Sequence, residues 1–304
     1  MKVSYTIQEE RGEWFGGNPF QRQSDATIEG RSSFVRARSG EISLTSDFNE
    51  ESDVKSVRLA SEDLFVSRLG NRGGGGGLLS LFPIGLELSS FAGYSIYPNT
   101  LRIPKVISRE AVLVEDGSNL ASLLKVINTG SRLKDNKDSL ISALKVVLPI
   151  AEDLQVRSAG GFYVPVIRVK ETSGELHDFN LSQISDGTLR VLGLLTAFYQ
   201  PFAPSKIALE EPEQMIHPGA LPVLIDAARD FLAQNRRSAT GDRQVFITTH
   251  SPTLLDLVKP EEIFWTRFTN DGTECGPVSK RQVKIITDGL FSAGEVLLSE
   301  GFHR

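Results

Sequence analysis

The stretch Lys206-Ile-Ala-Leu-Glu-Glu-Pro-Glu-Gln-Met-Ile-His-Pro218 decides how the rest of the chain is to be folded. Its apolar run, Ile207 to Leu209, ends abruptly in two adjacent carboxylates, Glu210 and Glu211. Apolar residues closed by a charge pair are the pattern of a buried strand in a parallel sheet, with the acids emerging at its carboxyl end. Open α/β sheets bind their ligands at that edge. Two carboxylates there suit two jobs, one holding a hydrated Mg²⁺ and the next polarising a water for attack on a phosphate. A strand followed by a solvated acidic turn contains the same residues, so the flanking sequence has to decide.

Upstream, Ser185-Asp186-Gly187-Thr188 opens a strongly apolar segment containing Leu189, Val191, Leu192, Leu194, Leu195 and Phe198. A small hydroxyl residue and a glycine at a helix amino terminus offer free N–H groups and the positive dipole end to an anion. The same four residues also make an ordinary cap on a core helix. Downstream, Val245 to Ile247 predict another buried strand, ending at Thr248-Thr249-His250, and Ser251-Pro252 starts another helix with proline in its first turn. Between the two runs, residues 218–235 predict a helix with Leu221, Leu224, Ile225, Ala228, Phe231 and Leu232 inward. Right-handed crossovers then make the two strands parallel neighbours, with Glu211 and His250 at equivalent ends. Ile263 to Arg267 reads as a further strand, Asn270-Asp-Gly-Thr as a turn, and Leu297-Leu298 as part of a terminal helix.

The amino-terminal part has another texture. Residues 1–60 alternate polar and apolar positions in short pieces, such as Ser33-Phe-Val-Arg-Ala-Arg and Glu41-Ile-Ser-Leu, and predict an antiparallel meander. The run Asn71-Arg-Gly-Gly-Gly-Gly-Gly77 invites comparison with a phosphate-binding loop, but Leu78-Leu79-Ser80 follows it. A Walker A loop needs Gly-x-x-x-x-Gly-Lys-Ser/Thr, because the lysine must reach the phosphates and the hydroxyl must hold Mg²⁺. That pattern occurs nowhere in the 304 residues, and the glycine run is expected to be a surface loop. Residues 78–100 predict a helix and then a strand, and Asp116 to Leu124 a turn leading into a helix capped by Ser118 or Asn119. Ser139 to Leu154 has helical spacing at Leu140, Ile141, Leu144, Val147, Leu148 and Leu154, with Pro149 as a kink or stop. Gly161 to Asn180 reads as a hairpin turning at Ser173-Gly174, with His177 a surface residue of its second strand.

Composition excludes several classes. With 40% hydrophobic residues the chain can bury a sizeable core, and a formal net charge of −5 provides no global basic field for nucleic acid. Cys275 is the single cysteine, which rules out an intrachain disulfide and fits a reducing, cytoplasmic setting. No apolar run approaches the roughly 20 residues that span a bilayer, and the first ten residues contain no signal-peptide core. A cytoplasmic protein with no membrane partner is expected.

Taken together, the chain resembles the carboxyl-terminal half of an ABC-type ATPase head, in particular the AAA-domain ATPases related to the RecF, structural-maintenance-of-chromosomes (SMC) and OLD families. Leu181 to Arg190 resembles the signature motif and Ile207 to Glu213 resembles Walker B in a Glu-Glu-Pro-Glu form. Ile216-His217-Pro218 resembles the segment leading into the D-loop, and Phe246 to Pro252 resembles the switch motif Thr-Thr-His-Ser-Pro. Asp116 to Leu124 also resembles the Asp-Gly-Ser-Asn-Leu segment of the same ATPases.

The resemblance implies a P-loop NTPase head-like α/β fold, a mostly parallel sheet flanked by helices, with an amino-terminal β meander and an incomplete amino-terminal lobe. It divides the chain into a β-rich remnant at 1–90, a helical insertion at 91–160 and the carboxyl-terminal ATPase lobe at 161–304. It implies ATP and Mg²⁺ as cofactors, with Glu210 associated with the metal, Glu211 orienting the attacking water and His250 contacting the γ-phosphate. Ser185, Asp186, Gly187 and Thr188 would grip a nucleotide bound to the opposite protomer of a homodimer, or to a Walker A-bearing partner. DNA maintenance or phage defence is the implied setting, with DNA or an effector nuclease as a further partner. Because Walker A is missing, the chain is expected to be a truncated product, half of a split ATPase or a degenerate copy, binding ATP weakly by itself. Two alternatives stand beside this: an interaction subunit that does not hydrolyse, and a metal nuclease built on Glu210, Glu211, Glu213 and His217.

Overall fold

A computed structural model describes residues 90–106, 111–234, 243–269 and 272–302, together with the backbone of four earlier strands. The chain divides into two compact units, residues 1–91 with 238–242, and residues 92–237 with 243–304.

In the first unit, β1 (Glu10–Gly17), β2 (Glu29–Arg36), β3 (Glu41–Ser46) and β4 (Val57–Arg58) pair antiparallel in chain order. This is the meander that the alternation predicts. The glycine run at 71–77 and the helix expected over 78–89 lie outside the described residues.

The second unit begins with β5 (Phe91–Tyr94), α1 (Pro98–Arg102), β6 (Lys105–Val106), α2 (Leu120–Thr129) and α3 (Lys134–Val147). Asn119 occupies the N-cap position of α2, but its side chain makes no cap bond. It is turned instead to the preceding loop, where it accepts from Val114 N at 3.0 Å and donates to Val112 O at 2.7 Å.

Helix α3 stops at Val147, because proline at 149 restricts the residue before it to extended backbone. The helix expected to run to Leu154 is corrected here: Ala151–Ala159 is a strand, β7. It pairs antiparallel along one edge of β8 (Phe162–Lys170), whose other edge pairs with β6 at Phe162 and Tyr163 and with β9 (Leu176–Asn180) from Val166 to Lys170. The hairpin expected over 161–180 is β8 and β9.

Helix α4 (Asp186–Tyr199) is buried from Leu189 to Tyr199. A helix apolar on every face has to be enclosed by other elements; α4 packs against α1 and α3, and against α5 (Leu221–Ala233), the helix between the two short strands. Those strands, β10 (Lys206–Glu210) and β11 (Gln244–Thr248), are parallel neighbours in register from Lys206↔Gln244 to Glu210↔Thr248. They form a sheet in the order β11-β10-β5. Beyond a short α6 (Pro252–Leu255), the hairpin β12 (Phe264–Thr269) and β13 (Gly272–Pro277) leads into α7 (Lys280–Thr287) and α8 (Ala293–Ser299). Residues 270 and 271 of the expected turn lie outside the described residues. Among the described residues no helix is long and apolar enough to cross a membrane.

Candidate functional site

The parallel register of β10 and β11 brings their carboxyl ends side by side. Ile207 and Leu209 are buried, and Glu210 emerges exposed at the end of the strand. Glu211 follows with φ of 39°, a left-handed conformation that is uncommon outside glycine and costs on the order of 1 kcal/mol or more. Its amide donates to Thr248 O at 3.0 Å, so the turn after β10 stays tied to the end of β11. Its Oε1 stands 3.7 Å from Nε2 of His250, and its Oε2 accepts from the side-chain Nε2 of Gln214. The His250 side chain is 92% exposed, so the imidazole faces outward from the edge rather than into the core.

Two residues fix the backbone beneath this pair. Glu213 Oε1 accepts from Thr249 Oγ1 at 2.6 Å and from His250 N at 3.3 Å, joining the turn after β10 to the segment after β11. Arg190, 2% exposed, sends its guanidinium to Ile96 O at 2.6 Å and to Glu211 O at 3.1 Å. It also lies over the Tyr97 ring at 5.4 Å. Burial pushes the Arg190 pKa below its ordinary value, and the Glu213 carboxylate, whose charge favours the cation, works against that.

The Ser185 end of α4 is built as a capped helix start. Ser185 is the N-cap, accepting from Thr188 N at 3.3 Å, and the two hydroxyls lie 2.8 Å apart. Asp186 pairs with Arg102 of α1, whose guanidinium also donates to Ile184 O at 2.8 Å. The arginine offsets the one negative charge at a helix end that otherwise favours anions. A Cβ on Gly187 would meet Met215 O at 3.0 Å, so α4 begins against the turn that carries Glu211. The structure thus brings Glu211 and His250 together directly, whereas Ser185 connects to them through Gly187 and Arg190.

The donor set at the strand ends suits Mg²⁺, which keeps several waters and takes one or two carboxylates plus phosphate oxygens; Glu210 is exposed and available for that. The four-residue nuclease cluster is not formed. Glu213 Oε1 is engaged by Thr249 and His250, and His217 Nδ1 accepts from Gly219 N at 3.1 Å. Among the described residues the one converging group of three metal-capable side chains lies elsewhere, Glu171, Glu175 and His177 at the exposed tip of the β8–β9 hairpin.

The family described as "AAA domain, putative AbiEii toxin, Type IV TA system" matches residues 89–256, more than half of the chain. The chain belongs to this AAA-domain family. The match runs from β5 to Asp256 and so contains α4, both strand ends and His250. The AAA domain is therefore of the P-loop ATPase type, a mixed α/β fold with helices packed around a sheet that contains the parallel pair. No curated protein matches it significantly. Solved structures similar to it include an SMC head bound to the C-terminal winged-helix domain of ScpA, with 11% identity, 91% of this chain and 76% of that one covered, and a TM-score of 0.48. The SMC head domain from Thermotoga maritima has 14% identity, coverage of 90% and 75%, and a TM-score of 0.42. An SMC head with an extended coiled coil bound to the C-terminal domain of ScpA, from Pyrococcus furiosus, has 9% identity, coverage of 93% and 80%, and a TM-score of 0.48.

Arg102, Arg190, Glu213 and Thr249 have structural jobs at this site that the motifs did not bring out. For Arg190 a signal was available, since it is the single charged residue between Leu189 and Tyr199.

Proposed function

We propose that this AAA domain binds ATP with Mg²⁺ and hydrolyses it at a composite site, completed by a second protomer or by a Walker A-bearing partner. The observation that carries this is the Glu211–His250 pair, 3.7 Å apart at the ends of adjacent parallel strands. Glu211 takes the role of orienting the attacking water and accepting its proton. His250, exposed beside it, meets the terminal phosphate from outside the sheet edge. Glu210 holds Mg²⁺, which when bound neutralises charge on the phosphate oxygens. Phosphoryl transfer asks mostly for positioning and electrostatics, and a rigid strand end supplies both.

Ser185, Asp186, Gly187 and Thr188 act on the nucleotide of the opposite protomer, with Arg102 cancelling the Asp186 charge. Tyr97 and Met215, about half exposed at 49% and 52%, give a partner apolar surface beside that helix start. The phosphate cradle and its lysine must come from outside these 304 residues, because no Walker A pattern is among them. In this assignment residues 161–304 form the catalytic lobe, 91–160 the insertion and 1–90 the β-rich lobe. DNA maintenance or phage defence, with DNA or an effector nuclease as partner, is the setting this chemistry serves.

Calorimetric titration of ATP and Mg²⁺ into the chain, alone and with a Walker A-bearing chain, tests the proposal. Glu211→Gln is expected to retain bound ATP and the associated form while losing turnover by about 100-fold or more. Wild-type turnover in that variant would refute the assignment. The absent Walker A pattern favours one other reading, a subunit that docks and does not hydrolyse, for which association occurs with no heat of nucleotide binding in any combination.

A further inference from the structure

We propose that Arg190 and Glu213 are positioning residues, a pair of opposite charges that sets Glu211 against His250 and ties that setting to the start of α4. The proposal rests on the hydrolytic role given to Glu211 and His250 above.

Arg190 is an expensive group to keep where it stands. It is 2% exposed in a helix whose neighbours from Leu189 to Tyr199 are otherwise uncharged, and burial disfavours its cation. Among the described residues no carboxylate forms a contact ion pair with it. Its bonds go to two backbone carbonyls, Ile96 O just past β5 and Glu211 O just past β10. A guanidinium presents its N–H groups in a rigid planar fork, so bonding two carbonyls at once fixes the spacing between the ends of two strands. A leucine or methionine would fill the volume without the desolvation cost, but would hold neither carbonyl.

The carbonyl of Glu211 is the one whose placement matters. With φ at 39°, Glu211 has left the strand conformation, and this turn aims its carboxylate at His250. Glu213 does the corresponding job on the other strand, gripping Thr249 Oγ1 and His250 N with one oxygen. Its second oxygen and Arg190 Nε are both buried with no hydrogen-bond partner among the described residues, and the two side chains attract each other electrostatically. Arg190 stands five residues after Ser185 on the same helix. A shift of that helix start, such as anion capture would impose, is therefore passed to the Glu211 carbonyl.

The test compares Arg190→Gln, Arg190→Lys and Glu213→Gln in the full chain by residue-resolved amide hydrogen exchange, and by ATP turnover with a Walker A-bearing partner. In Arg190→Gln the Glu211 and Gln214 amides should lose protection by about tenfold or more, while those of Ile207, Leu209 and Val191–Phe198 hold. Arg190→Lys should fail to restore them, because it keeps the charge without the fork. Glu213→Gln should expose the His250 and Ser251 amides in the same local way. Where the wild type turns over, kcat in Arg190→Gln should fall by about 100-fold with little change in KM.

Unchanged protection at Glu211 and Gln214 overturns the proposal, as does loss spread along the whole of α4. Full rescue by lysine, or unchanged kcat despite local exposure, removes the positioning role. If the wild type does not hydrolyse ATP at all, the function proposed above fails, and hydrogen exchange alone decides whether the brace exists.

Discussion

Gly193 is the residue through which α4 meets the segment after β5, and replacing it with alanine sets two effects of opposite sign against each other. In a helix interior, alanine in place of glycine gains about 1 kcal/mol. Here the added Cβ would stand 2.7 Å from Ile96 Cγ2 and 3.1 Å from Leu101 Cδ1. Ile96 and Leu101 are 0% and 3% exposed, so neither side chain has solvent to move into. Overpacking of this kind costs about 1–3 kcal/mol. The backbone of Ile96 must then give, and its carbonyl is the shorter of the two Arg190 acceptors, at 2.6 Å. A hydrogen bond to a charged group contributes roughly 1.5–3 kcal/mol, and partial loss of it adds to the cost. The sum favours a net destabilisation of about 2 kcal/mol, or a fall in Tm of roughly 4–8 °C for a unit of this size. Thermal unfolding followed by far-ultraviolet circular dichroism reads it, with Gly93→Ala as the control. Gly93 has nothing within 4 Å of its Cβ position, and alanine there should hold or raise Tm. A Gly193→Ala protein as stable as wild type or more so would refute the reasoning, because propensity would then have outweighed contact.

Two further outcomes are expected. Asn119→Ala removes the acceptor of Val114 N and the donor to Val112 O from a side chain in a residue only 4% exposed, and should cost about 2–4 kcal/mol; an unchanged urea midpoint would show that water replaces both bonds. Asp178 is held below its ordinary pKa of 3.8 by hydrogen bonds from Arg168, directly across the β8–β9 ladder, with Arg157 adding to the effect. Its folded pKa being the lower one, the unfolded chain takes up the proton first, so the stabilisation is complete above about 3.8 and is lost as pH falls through the folded value. The Tm gap between wild type and Asp178→Asn should therefore be wide at pH 7 and close in acid, and a gap that widens in acid would contradict this.

How much of this could be seen in the sequence depends on whether a feature leaves a local signature. β10 and α4 were legible because each has an enclosed core, which forces a short apolar run or an apolar helix with abrupt polar ends; β11 was legible as a strand, but the burial expected of it is not found, since it ends the order β11-β10-β5 and Phe246 is 49% exposed. The meeting of Glu211 and His250 followed from strand ends alone, since parallel neighbours share an edge. β7 was not legible, and the reason is local. A register shift between Ala151 and Asp153 places the buried Ala151 and Leu154 three residues apart, a spacing that continues the helical pattern of Leu144 and Val147. A bulge breaks the alternation by which a strand is known, so the proline at 149 was the only sign that the structure changes there. Arg190 and Glu213 fall in a different class. Their neighbours in the chain say nothing about Ile96, Thr249 or His250, which lie 94, 36 and 37 residues away. An arginine inside an apolar helix does announce a buried charge, and a buried charge must find partners; which partners is settled only when the sheet forms. The resemblance singles out Ser185, Glu210, Glu211 and His250 by role, whereas the partners of Arg190 and Glu213 are defined by tertiary contact. A variant series confined to Ser185, Glu210, Glu211 and His250 would accordingly leave untouched the two side chains proposed to hold Glu211 3.7 Å from His250.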